Sequence, residues 1–78
     1  MTRENIQQRI SIDPAVCFGR PVVRGTRIWV SLIVNYLAAG ESIESIRAEY
    51  PQLTEDDIRA CLAFAADRER KLVSAPPE

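Results

Sequence analysis

The sequence predicts a mostly α domain with a short N-terminal β region, its helices forming a trihelical, helix-turn-helix-like bundle. Three observations predict it. β-branched residues and turn formers dominate up to about residue 30 and not beyond. Three segments with helical apolar spacing follow, over 31–39, 43–50 and 55–71. The last two are joined by about four residues, Pro51 to Thr54, the connection length of a helix-turn-helix. With 78 residues there is room for one domain, over 9–72. Residues 1–8 are polar and expected to fray, and the Pro-rich segment 73–78 is expected to be a disordered tail.

Taken in order, Arg9 to Ile12 alternates polar and apolar residues, the period of a half-buried strand. Asp13-Pro14 makes a turn. Val22-Val23, Arg24-Gly25 and Thr26 to Val30 have the pattern of a hairpin, with Gly25 where φ is positive. Ile28 and Val30 share one face; Arg27 and Trp29 share the other. The helix over 31–39 is apolar almost all round and ends at Gly40, which supplies a left-handed stop. It belongs at the centre of the domain or under a second chain. Ser42 caps the next helix, and Pro51 ends it at Tyr50. Thr54 and Asp57 form a capping box for the last helix, whose stripe is Ile58, Cys61, Leu62 and Ala65, with Phe64 beside it.

Composition removes several function classes. The chain has no histidine, hence no imidazole base, nucleophile pair or imidazole metal ligand. Cys17 and Cys61 stand apart with no histidine beside them, which argues against a disulfide framework or zinc site and for a reducing, cytoplasmic setting. The apolar stretch Ile28 to Ala39 is broken by Ser31 and Asn35 and falls short of the about 20 residues that cross a bilayer. No secretory leader is visible, and no cofactor is expected. GRPVVRGT over 19–26 lacks the ending of a phosphate loop. An enzyme is the least favoured reading.

The net charge of −1 conceals an asymmetry: +3 over residues 1–29 and −4 over 30–78. Two partners, or two faces, follow from that division. DNA would meet the arginine-bearing β region, where Arg20, Arg24 and Arg27 can contact phosphate or guanine, with Gly25 allowing close approach and Thr26 offering a hydroxyl. The alternative is that Gly25 makes a turn, Thr26 suits a strand and the arginines are solvated. Glu55, Asp56 and Asp57 at the start of the last helix would repel phosphates, so that helix is set against entering a groove and towards protein contact. Cys61 belongs to the core. Trp29, Ile33, Tyr36 and Leu37 are the candidate dimer or partner interface, because so small a domain barely covers an all-round apolar helix.

Ile10-Ser-Ile-Asp-Pro14, Cys17-Phe-Gly-Arg-Pro21, Val23-Arg-Gly-Thr-Arg-Ile28, Leu37-Ala-Ala-Gly40, Tyr50-Pro51 and Leu53-Thr-Glu-Asp-Asp-Ile58 resemble the family catalogued as domain of unknown function 433. The likeness runs from about Ile10 to Ala66 and is most specific at Gly19-x-Pro21 followed by Gly25-Thr26-Arg27-Ile28. It implies a trihelical unit with a short β region and a VapB-like antitoxin role opposite a PIN-like ribonuclease toxin, with operator DNA bound by a homodimer. It brings no catalytic residue. The competing reading is a protein-interaction module whose acidic helical face docks a basic partner without DNA.

Overall fold

A computed structural model describes residues 2–72; the expected tail at 73–78 lies outside them. The element order is α1 (Arg3–Arg9), β1 (Ile10–Ser11), a left-handed turn (Cys17–Gly19), β2 (Val22–Val23), α2 (Val30–Ala38), α3 (Ile43–Glu49) and α4 (Glu55–Leu72). The expected class stands: three helices after residue 30, with a two-stranded antiparallel sheet near the N-terminus.

The N-terminus departs from expectation. Residues expected to fray form α1, started by Thr2, whose hydroxyl accepts from Asn5 N–H at 3.2 Å. Ile6 packs against the core from this helix. Its last carbonyls are gathered by a side chain from the hairpin, described below. A helix of seven residues is marginal alone, and these tertiary contacts hold it.

The β region is shorter than the sequence pattern suggests. Ile10 pairs with Val23 and Ser11 with Val22, and the second arm of the hairpin keeps a single bridge, Val22 to Trp29. Arg9 belongs to α1 and Val30 to α2, so neither end of the expected 9–30 β span is strand. Ile28 and Val30 are buried and Arg27 and Trp29 face outward, as the alternation predicts.

α2 ends where Gly40 adopts φ 97°, with Gly40 N–H bonded to Leu37 C=O and Glu41 N–H to Tyr36 C=O, both at 3.0 Å. That is the Schellman arrangement, and a side chain at Gly40 would strain it. Ser42 caps α3 through Ser45 N–H at 3.0 Å. Leu53 N–H bonds to Tyr50 C=O, and Arg47 Nε donates to the Leu53 carbonyl at 3.2 Å, which fixes the turn into α4. There Thr54 and Asp57 cap reciprocally, at 2.9 and 3.1 Å.

The core joins Ile10, Val23, Ile28, Val30, Ile33, Ile46, Leu53, Ile58, Ala60 and Cys61. On α4 the buried stripe is turned from its expected place. Ala60 is buried, whereas Leu62 is 42% exposed. Ala60 joins Ile58 and Cys61 on the inner side of α4, and Leu62 falls on the outer side. Burial, with a smaller push from Asp57, raises the Cys61 thiol to about 12. A disulfide-exchange reagent is therefore expected to modify half-buried Cys17 in the native protein and to spare Cys61 until denaturant is added. Two thiols reacting at equal native rates would contradict this packing.

Candidate interaction surface

The hairpin turn places most of the residues picked out by sequence, and it divides them. Gly25 turns the chain at φ 82°. The Thr26 hydroxyl donates to Val23 C=O at 2.8 Å and accepts from Ile28 N–H at 2.9 Å. Its proton is spent inside the turn, so Thr26 has no proton left to offer a phosphate. Gly25 and Thr26 build the turn.

Arg24 is likewise taken. Its Nε donates to Gln8 C=O at 2.8 Å, and Nη2 donates to Gln7 C=O at 2.7 Å and Ile10 C=O at 3.0 Å. These are the orphan carbonyls at the end of α1, where a cation is favoured by the helix dipole. Arg24 is a clamp between hairpin and helix, a structural role that the sequence reading did not assign to it; Nη1 takes no part in these bonds.

Arg9 was not singled out by sequence. Its Nη1 lies 3.0 Å from Asp57 and its Nη2 3.6 Å from Asp56, while Arg59 takes Glu55. The three carboxylates read as a repulsive or docking face therefore all have cationic partners. Arg9 stands immediately before β1, but nothing local marks its target, which lies 48 residues along the chain.

Two arginines of the segment remain outward. Arg27 is exposed, and its guanidinium has no partner among the described residues. Arg20 lies with its guanidinium 4.3 Å from the centroid of the Trp29 ring, a cation–π pair. Trp29 is 40% exposed. Of the other candidate interface residues, Ile33 is 0% exposed inside the domain's own core, which corrects its reading as a contact. Tyr36 and Leu37 are half-buried against the core. The Tyr36 hydroxyl lies 3.5 Å from that of Tyr50, and this contact, with burial and the Glu49 carboxylate, pushes the Tyr36 phenol up to about 12, so it stays neutral.

Phe18 is the residue that sequence reasoning missed. Cys17, Phe18 and Gly19 run consecutively at φ 51°, 58° and 81°. The turn is closed by Gly19 N–H to Val16 C=O and Arg20 N–H to Cys17 C=O, both 3.1 Å. Two consecutive non-glycine residues in the left-handed region cost about 1–2 kcal/mol each. The strained turn leaves Phe18 99% exposed. Aromatic side chains so presented mark contact sites.

Beside this turn a groove of about 460 Å³ runs between α2 and the C-terminal half of α4. Its lining includes Val30, Val34, Phe64 and Ala65, with Arg20 and Arg68 also along it. The Arg68 guanidinium stands 5.5 Å from the Phe64 ring. Neither arginine has a carboxylate partner among the described residues. Among those residues no three histidine, cysteine or acidic side chains converge as metal ligands, and no helix is long and apolar enough to cross a membrane.

Comparison with known proteins places residues 10–65 in a match to the family described as "Protein of unknown function (DUF433)". The matched span takes in both strands, Phe18, Arg20, Trp29, α2, α3 and the first part of α4, and leaves α1 outside. The chain is similar to "Uncharacterized protein y4eO" of Sinorhizobium fredii, at 36% identity over 56 residues, 72% of this chain and 25% of that protein. It thus spans a quarter of the length of that curated relative. It is also similar to the crystal structure of a DUF433 member protein from Anabaena variabilis. The TM-score is 0.74 at 28% identity, over 92% of this chain and 81% of that one.

Proposed function

The chain belongs to the DUF433 family, and on that premise we propose that it is a non-catalytic adaptor working by protein docking: the antitoxin that holds a PIN-like ribonuclease toxin. The observation that carries the docking is Phe18, an aromatic side chain 99% exposed on a left-handed turn two residues from the Arg20–Trp29 pair. Phenylalanine, tryptophan and arginine are the residues by which protein interfaces bind. The toxin as partner follows from the family resemblance stated with the sequence. At the acidic start of α4, pairing with Arg9 and Arg59 lowers the negative charge that face offers a basic partner.

The test is co-expression of the tagged chain with the product of the adjacent gene. That product is expected to co-purify, and Phe18→Ala is expected to reduce its recovery without loss of helical signal. Recovery of the tagged chain alone, in every salt condition, would overturn the reading.

Arg27, exposed and without a side-chain partner among the described residues, favours a second activity of the same protein: contact with operator DNA. In a gel-shift titration with its own promoter fragment, Arg27→Ala is expected to weaken binding and lower the salt slope by about 1, the signature of one lost phosphate contact. No shift at low salt, with and without the co-purified protein, removes the DNA half and leaves the docking half standing.

A further inference from the structure

We propose that the groove between α2 and α4 binds a small apolar monocarboxylate, with the hydrocarbon body in the groove and the carboxylate on Arg20 and Arg68. The proposal is independent of the docking reading above and gives no part to Phe18.

The walls supply the apolar half. α2 and α4 pack directly on one another, so the groove between them is formed before any ligand arrives. Val30 and Val34, one helical turn apart, line it from α2, and Phe64 and Ala65 line it from α4. Val34, Phe64 and Ala65 are only half-buried, which leaves hydrocarbon surface for a ligand to cover. The volume of about 460 Å³ lies in the range of small-molecule sites, roughly 300–1,000 Å³. A hole of about 150 Å³ takes a benzene ring, so a ring with a short chain fits here.

The rim supplies the charge. Its ionised side chains are Arg20, Arg68 and Glu69, so two guanidiniums stand against one carboxylate and the net sign is positive. Arg9, Arg24, Arg47 and Arg59 are bonded to acceptors elsewhere in the fold. Arg20 and Arg68 are not: each lies against an aromatic ring, Trp29 at 4.3 Å and Phe64 at 5.5 Å, with no acceptor among the described residues. A ring contact orders a guanidinium while leaving its N–H donors for a carboxylate. Ser31 and Asn35 add a hydroxyl and an amide to the same lining. α2 also begins here, at Val30, and Trp29 at its N-cap has no acceptor side chain, so the positive end of the helix adds to the same field.

These two halves select the ligand. A neutral hydrocarbon leaves both guanidiniums without a counterion. DNA brings the anion but no hydrocarbon body for Val30, Val34 and Phe64. An apolar acid with one negative charge matches the walls and the net charge of the rim together.

The test is titration of the isotope-labelled full chain with phenylbutyrate at neutral pH, followed by chemical shifts. Saturable shifts are expected at Val30, Val34, Phe64 and Ala65. Phenylbutanol, the same body without the charge, is expected to bind about tenfold more weakly or worse, the loss of a charged hydrogen bond. Arg20→Gln and Arg68→Gln change exposed side chains and should keep the fold. Each is expected to weaken phenylbutyrate about tenfold and to leave phenylbutanol unaffected. Arg3→Gln removes the same charge from outside the lining and should change neither.

Equal affinity for acid and alcohol overturns the proposal, as do shifts that fall away from the groove or arginine variants that bind like the wild type. Contacts from residues 73–78 to Phe64 in the free chain, with no response to phenylbutyrate, would give the groove to the chain's own C-terminal segment and overturn it. Capture of the co-expressed protein that depends on Arg68, again with no response to phenylbutyrate, would give it to a protein partner and overturn it too. The docking reading stands or falls separately, on recovery of the co-expressed protein by Phe18→Ala.

Discussion

Ile33→Ala is expected to unfold the domain rather than separate an assembly. Ile33 is fully enclosed, in one cluster with Ile46, Leu53, Ile58 and Cys61. Emptying such a site costs about 2–5 kcal/mol, transfer and cavity together. A domain of 78 residues has about 4–12 kcal/mol in all, so one truncation removes a large share of it. The urea midpoint should fall by about 2 M or more, at a slope near 1 kcal/mol per molar. Ile33→Val, which keeps most of the volume, should cost about 0.5–1.5 kcal/mol. A variant that kept the wild-type midpoint and changed only its sedimentation would restore Ile33 to an interface and contradict the packing.

Arg24→Ala is expected to release α1. Three carbonyls at the end of that helix lose their donors together, and each bond involves a charged group. Allowing for solvent at the exposed guanidinium, the expected loss is about 1–3 kcal/mol. Its location matters more than its size. Amide protection over 3–10 should fall most, towards that of an open segment, while α2 and α3, which carry none of the Arg24 bonds, keep more of theirs. Arg24→Lys should recover part of the effect, since an ammonium reaches fewer carbonyls than the guanidinium fork. A DNA-contact role would give the reverse: protection intact and promoter binding lost. Arg24→Ala and Arg27→Ala therefore separate an arginine bonded to α1 from one without a guanidinium partner among the described residues.

Much of the fold was legible because it is written in local physics. Gly40 stops α2 since only glycine adopts φ 97° without strain. Ser42 and the Thr54–Asp57 box start α3 and α4 by bonds that span three residues. The inward Ile28 and Val30 follow from the alternation of an extended chain. The N-terminal helix was missed because its stability comes from elsewhere. Thr2 caps it locally, but Ile6 on the core and Arg24 at its last carbonyls decide that it forms. Leu62 and Ala60 exchanged places because helical periodicity names a stripe without saying how closely the neighbouring helices approach.

The site was less legible than the fold. Arg20, Arg24 and Arg27 look alike in sequence, yet one stacks on Trp29, one clamps α1 and one has no guanidinium partner among the described residues. Phe18 gave no signal at all, since an aromatic residue between Cys17 and Gly19 is as readily buried as exposed.

By itself the sequence determined where α2, α3 and α4 begin and where α2 and α3 end, which hairpin residues turn inward, and that no histidine chemistry is available. Those properties depend on side chains within one turn of each other. The tertiary structure alone decided which charges are free and which apolar groups are bare. A guanidinium is spent or available according to the carbonyl or carboxylate that reaches it from a distant segment, as Asp57 reaches Arg9. Phe18 is exposed because the chain around it folds into a left-handed turn and leaves its ring outside.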